Sequence, residues 1–266
     1  MPPEAALYIA VAALAGLLIG SFLNVCIYRV PRDLSVVRPR SFCPACEKPI
    51  AWYDNVPVFS FLRLKGRCRQ CGAPIGPRYP LVELSTAVLF AATVARFGWT
   101  LDSAKWCVFQ AVMTVLFWVD LEERILPDEF TLGGSVLGLI FAFFTKVPGD
   151  LGGLLLPSAG VRGQSIFEAL SGAVALTVPL TVLGKIWERL AKRDVLGWGD
   201  VKLLPCIGLF LGLEMGIQTL LLGSLLGLSI GGLYIFIKKK KAREYELPLG
   251  SFYCGAAAVT PLLMKF

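Results

Sequence analysis

The chain has 266 residues, 56% of them hydrophobic and 17% charged, with a formal net charge of +7 and no histidine. A mean hydropathy of +0.68 is too high for one soluble domain and indicates a polytopic membrane protein. Without histidine, Ser-His-Asp and Cys-His catalysis, histidine-ligated catalytic zinc and imidazole proton relays are excluded, and carboxylates become the leading acids and bases.

In chain order, residues 5–28 hold no charge over 24 positions. At about 1.5 Å per helical residue that run crosses a hydrocarbon core of about 30 Å. A cleaved signal peptide would begin with a basic segment, whereas this one is preceded by Glu4 and no Lys or Arg. Further apolar stretches predict spans at 81–97, 103–119, 130–146, 165–187, 201–214, 215–237 and 247–265. The expected fold is an all-α polytopic membrane protein of about eight transmembrane helices, with a small cytoplasmic zinc-binding domain between the first and second. The expected divisions are 1–28, 29–80 and 81–266. Placing the amino terminus outside puts 21 of the 26 Lys and Arg residues on the cytoplasmic side, as the positive-inside rule requires. The basic residues border spans instead of forming a separate domain, so the charge reads as topology and inner-leaflet anchoring, not nucleic-acid binding. No internal repeat stands out.

The only sizeable soluble piece, 29–80, carries CPAC at 43–46 and CRQC at 68–71, with 21 residues between the pairs. That spacing is close to a zinc ribbon, and four thiolates fill a tetrahedral shell, so Cys43, Cys46, Cys68 and Cys71 are expected to hold a structural Zn2+. Gly66 and Gly72 suit the tight turns such knuckles need. Disulfides or a redox pair are the alternative, disfavoured by a reducing cytosol and by two matched pairs. Cys26, Cys107, Cys206 and Cys254 fall within spans and read as small hydrophobes.

Two carboxylates coincide with span ends. Asp120 closes the third span in WVDLEERILPDEF, and Asp200 opens the sixth in LGWGDVKLL, behind two glycines expected to give it backbone freedom. Both fall at the cytoplasmic boundary in the expected topology, where an acid is costly unless paired or solvated and is by default functional. Asp128, after Pro127, reads as the N-cap of the fourth span, and Glu122 and Glu123 as solvated charges. The helix macrodipole disfavours charge on Asp120 and favours it on Asp200, which makes Asp200 the expected base and Asp120 the expected acid.

Taken together, GSFLNVCIYRVP (20–31), the two cysteine pairs around WYDNVPVFSFLRLKGRC (52–68), RYPLVE (78–83), DLEERILPD (120–128) and GWGDVKL (197–203) resemble the prepilin peptidases. These are bifunctional type IV leader peptidases and N-methyltransferases, membrane aspartic proteases of the GxGD type, and the resemblance covers nearly the whole chain. It implies a bacterial inner-membrane enzyme of type IV pilus or type II secretion systems. Such an enzyme cleaves prepilins or pseudopilins after the leader's glycine and methylates the new amino terminus with S-adenosylmethionine. It also implies Asp120 and Asp200 as the catalytic pair and zinc on the four cysteines. Gly66 and Arg67, beside Cys68, together with 78–83, are the expected lining of the cofactor pocket. The stretch 146–164 is longer than the family pattern, and LPLGSFYCGAA (247–257) departs from the expected glycine-proline. A peptidase without methyl transfer, its zinc loop a lid, is one alternative; an ion transporter with intramembrane acids and a zinc adaptor are others.

Overall fold

The structure, a computed structural model, describes residues 3–191, 197–238 and 248–263. Lys192, Arg193, Lys239, Lys240, Lys241 and Arg243, which belong to the cytoplasmic charge excess, lie outside the described residues. Among the described residues the chain is helical with no strand, in agreement with the all-α expectation. The helices are α1 (Pro3–Arg29), α2 (Phe59–Arg63), α3 (Arg78–Phe97), α4 (Leu101–Glu123), α5 (Asp128–Phe144), α6 (Leu151–Leu155), α7 (Val161–Ala191), α8 (Trp198–Leu226), α9 (Gly232–Ile237) and α10 (Leu249–Leu263). Five of them, α1, α3, α4, α7 and α8 with its continuation to Tyr234, are long and apolar enough to cross a membrane. Helices α5 and α10, at 17 and 15 residues, are shorter. Large apolar side chains such as Leu14, Leu18, Phe144, Leu183 and Leu225 are exposed along these helices, an arrangement lipid tolerates and water does not. The protein is a multi-pass membrane protein.

The chain divides into two compact units, Met1–Val115 and Leu116–Phe266. In the first, α1 lies against α3 through two glycines one helical turn apart. A Cβ on Gly16 would fall 2.6 Å from the Cα of Ala87, and one on Gly20 would fall 2.8 Å from the Cα of Glu83. Small residues at i and i+4 let two backbones approach in lipid, where packing supplies the association energy in place of the hydrophobic effect. Ala12, Phe90 and Val94 are buried together, with Ile9, Cys107 and Ala111 packed on them.

In the second unit α8 is the central helix. Gly208 and Gly212 face Gly172 of α7, Gly138 of α5 lies on Leu209 and Phe210, and Gly223 meets Tyr253 of α10. The break expected between 214 and 215 is a kink at Gly212, where φ is 70° and the helix resumes immediately. Pro148 supplies the reason: its carbonyl oxygen lies where a Cβ of residue 212 would be. The long 146–164 stretch is ordered on this unit, with the Val147 N–H bonded to Ser165 Oγ and the Gly152 N–H to Glu168 Oε1.

Candidate functional site

Asp120 and Asp200 both belong to the second unit. Asp120 is buried, one turn from the end of α4. The helix stops there because Arg124 takes a left-handed conformation, φ 60°, with its N–H on the Asp120 carbonyl. Asp200 is half-buried in the first turn of α8, where the exposed backbone N–H groups favour a negative charge. Leu126 is buried beside Gly199 and Gly250: a Cβ on Gly199 would lie 3.2 Å from its Cβ, and one on Gly250 would lie 3.1 Å from its Cδ1. The two carboxylates are within electrostatic reach of each other.

The glycines before Asp200 correct one expectation. Neither Gly197 nor Gly199 has a positive φ, so they supply space and not unusual backbone geometry. A Cβ on Gly197 would sit 3.2 Å from Asp200 Oδ2, and Gly199 makes room for Leu126. Asp128 corrects another. It is the first helical residue of α5 and not its cap, Pro127 holding that position with no side-chain cap bond. Its carboxylate instead takes the Lys202 ammonium at 2.7 and 2.8 Å. Glu122 and Glu123 are exposed.

Sequence reasoning missed Ser251. At the start of α10 its backbone N–H and its hydroxyl both donate to Asp120 Oδ2, at 2.6 and 2.7 Å, while the hydroxyl also lies 3.1 Å from the Phe117 carbonyl. Gly250 permits this approach, since a Cβ there would stand 3.0 Å from Asp120 Cγ. The only signal in the sequence was the Gly-Ser pair that replaces the expected glycine-proline, a replacement that restores one donor and adds another.

In the first unit the four cysteines converge, their sulfurs all within 4.8 Å of one another and Cys43 Sγ 3.9 Å from Cys71 Sγ. A tetrahedral zinc with Zn–S bonds of about 2.3 Å sets its sulfurs about 3.8 Å apart, so the group fits that ion. The two knuckles repeat one another, which the sequence reading did not notice. In each, the residue after the second cysteine, Glu47 or Gly72, is left-handed and bonds back to the first cysteine's carbonyl, at 2.7 and 2.9 Å. In each, the first cysteine's N–H reaches the carbonyl five residues on, and a single bridge closes the turn, Phe42 to Pro49 and Arg67 to Pro74. Backbone N–H groups of Cys71 and Gln70 draw the Cys68 thiol down to about 7, toward the thiolate a metal needs.

Beside the knuckles is a cavity of about 410 Å³ walled by Asn24 and Tyr28 of α1, Tyr79 and Glu83 of α3, and Tyr53 and Phe61 of the loop, among others. That volume is within the range of small-molecule sites. Of the residues expected to line a cofactor pocket, Tyr79 and Glu83 face it. Gly66 stands behind the wall, where a Cβ would touch the Phe61 ring at 3.1 Å, and Arg67 is exposed. Asp54, also on the cavity, is held below the ordinary carboxylate range by Arg69, whose guanidinium donates two bonds of 2.6 Å to it.

Fold and site thus define a helical, multi-pass membrane protein with a four-cysteine loop after its first helix and two acids at helix ends in its second unit. Residues 14–97 match the bacterial peptidase A24 N-terminal domain and residues 107–232 match the type IV leader peptidase family, and the chain belongs to that family. It is 39% identical over 217 residues to a Myxococcus xanthus prepilin leader peptidase/N-methyltransferase, covering 81% of this chain and 60% of that protein. The protein of the same name from Klebsiella pneumoniae is 37% identical over 217 residues, covering 79% of this chain and 88% of its own. The one from Aeromonas hydrophila is 34% identical over 282 residues, covering 96% and 91%. No solved structure matches the chain significantly.

Proposed function

We propose that the chain is a bifunctional enzyme that cleaves the leader of type IV prepilins or pseudopilins after glycine and N-methylates the amino terminus so formed. The observation that carries the peptidase reading is that Gly250, which lies on Asp120, and Gly199, which precedes Asp200, pack on the same Leu126, bringing together helix ends whose acids lie 80 residues apart in the chain. Two neighbouring carboxylates do not both ionise easily and share a proton. The ionised one takes a proton from water as it attacks, and the protonated one donates to the scissile carbonyl. Since Oδ2 of Asp120 already accepts two bonds from Ser251, a proton held by Asp120 belongs on Oδ1. The helix N-terminus favours a charge on Asp200 and the two Ser251 donors favour one on Asp120, so the proton belongs to the pair jointly.

The four cysteines hold zinc with a closed shell, a structural role that clips a loop too small to build its own core. The cavity beside them, with aromatic walls and the carboxylates of Asp54 and Glu83, suits a sulfonium donor. S-adenosylmethionine, bound there, would supply an electrophilic methyl group. The basic loops argue for the amino terminus outside and for the acids and the zinc loop at the cytoplasmic face of a bacterial inner membrane.

Mass spectrometry of a prepilin incubated with the purified protein tests the proposal. Loss of the leader is expected without the methyl donor, and a further gain of one methyl group on the product's amino terminus with it. An uncut substrate would end the peptidase reading, and a cut but unmethylated one the methyltransferase reading.

A further inference from the structure

The cavity wall holds an acidic group with no cation. Glu83 is buried, carried inward by the close contact of its Cα with Gly20. Its Oε2 accepts the Val58 N–H at 2.7 Å and the Ser21 side chain also bonds to the carboxylate, yet among the described residues it makes no ion pair. Of the cavity's cations, Arg69 is engaged with Asp54 and Arg29 with the carbonyls of Ser35 and Arg40, while Lys48 is exposed. Val58 itself is strained. It centres a tight turn with φ 58° and ψ −48°, closed by the Phe59 N–H on the Pro57 carbonyl, a conformation rare for any residue and rarer for a β-branched one. Such strain persists where surrounding structure holds it, often at functional positions.

On the same cavity wall, one turn along α1 from Gly20, Asn24 is 3% exposed and donates its amide N–H groups to the carbonyls of Tyr79, at 3.0 Å, and Gly20, at 3.4 Å. Both neighbours are acceptors, which fixes the amide's orientation and leaves Oδ1 buried with no donor. A buried carboxylate lacking a cation and a buried carbonyl lacking a donor are each costly. One group answers both, a cation bearing N–H. A sulfonium has the charge but no hydrogen to give, whereas an ammonium brings three donors.

We propose that Glu83 and Asn24 form the receptor for an α-ammonium group, an inference that rests on the N-methyltransferase reading. Two molecules carry that group, the peptide whose amino terminus cleavage has freed and the amino-acid end of the methyl donor. In the first case Glu83 is also the base. Its carboxylate takes one proton from the ammonium, and the amine's lone pair forms the new bond to the methyl carbon. The carbon–sulfur bond breaks with its electron pair remaining on sulfur, and the product is a secondary ammonium.

The test measures binding to the full-length protein in nanodiscs of a synthetic mature pilin amino-terminal peptide, its N-acetylated form, and S-adenosylmethionine, for wild type and Glu83→Gln. The glutamine can still accept the Val58 N–H, and unchanged zinc content reports an intact loop. A loss of about ten- to a hundred-fold in peptide affinity on acetylation and in E83Q assigns the site to the processed peptide. The same loss for the donor in E83Q assigns it to the donor's amino-acid end. If E83Q does not fold, the wild type alone carries the test, with the acetylated peptide and a donor analogue lacking its amino group. Affinities unmoved in every arm overturn the proposal. A wild type that binds these ligands with such preferences yet transfers no methyl group would remove the underlying reading while keeping the ammonium site.

Discussion

At Asp120 two donors of Ser251 meet one carboxylate oxygen. Ser251 is the partner that orients it, through a backbone N–H that survives substitution and a hydroxyl that does not. Replacing Ser251 by alanine is expected to lower kcat for cleavage by up to about ten-fold, the worth of one hydrogen bond, with little change in KM. Threonine should recover much of the loss; a KM effect instead would mean that Ser251 acts on substrate binding. Gly250→Ala, which sets a Cβ 3.0 Å from Asp120 Cγ, should reduce cleavage more than Ser251→Ala, because it displaces the carboxylate and not merely one donor. The aspartates were legible in the sequence because acids at the ends of apolar runs are rare and expensive. Ser251 was not, since a serine among small residues looks like packing until the carboxylate opposite it is known. The roles of Gly197 and Gly199 were misread for a related reason: a glycine's need for space and its need for a positive φ leave the same letter.

Helix pairing turns on four glycines in two i, i+4 pairs, Gly16 with Gly20 in α1 and Gly208 with Gly212 in α8. Gly20→Leu is expected to destabilise the first unit by about 1–3 kcal/mol or more, the cost of overpacking, and to disturb the cavity by pushing Glu83 away. A fall in Tm together with weakened ligand binding would show both, and an unchanged Tm would contradict the packing. Lys202→Ala removes an ion pair whose two side chains are 38% and 53% exposed, so its cost should stay below about 1 kcal/mol in a denaturation midpoint. These apolar runs predicted the helices well, since their length and composition follow from the lipid solvent. The glycine pairs were present too, as GLLIG and GLFLG, a recognised close-packing pattern. What could not be read was the kink at Gly212, because the residue that demands it, Pro148, lies 64 positions earlier.

On the scale of the whole molecule, the proposed function assigns the two activities to different parts of the chain. The four-cysteine cluster and the cavity lie in the first unit, and the two acids in the second. Removing the metal with a chelator is therefore expected to abolish methyl transfer and to lower cleavage less, with zinc restoring the former; equal loss of both would argue that the loop also serves the peptidase. The cysteine spacing made the convergence of the four sulfurs legible, because the paired C-x-x-C pattern leaves a regular trace. The cavity left no such trace, being assembled from α1, the loop and α3, and the bets on Gly66 and Arg67 followed proximity to Cys68 in sequence instead of in space. The measurement closest to the central claim is cleavage of a prepilin by Asp120→Asn and Asp200→Asn, each shown to be folded and zinc-loaded. Both should lose at least about a thousand-fold in rate, as removal of one member of an acid–base pair does. Undiminished cleavage by either variant would contradict the account.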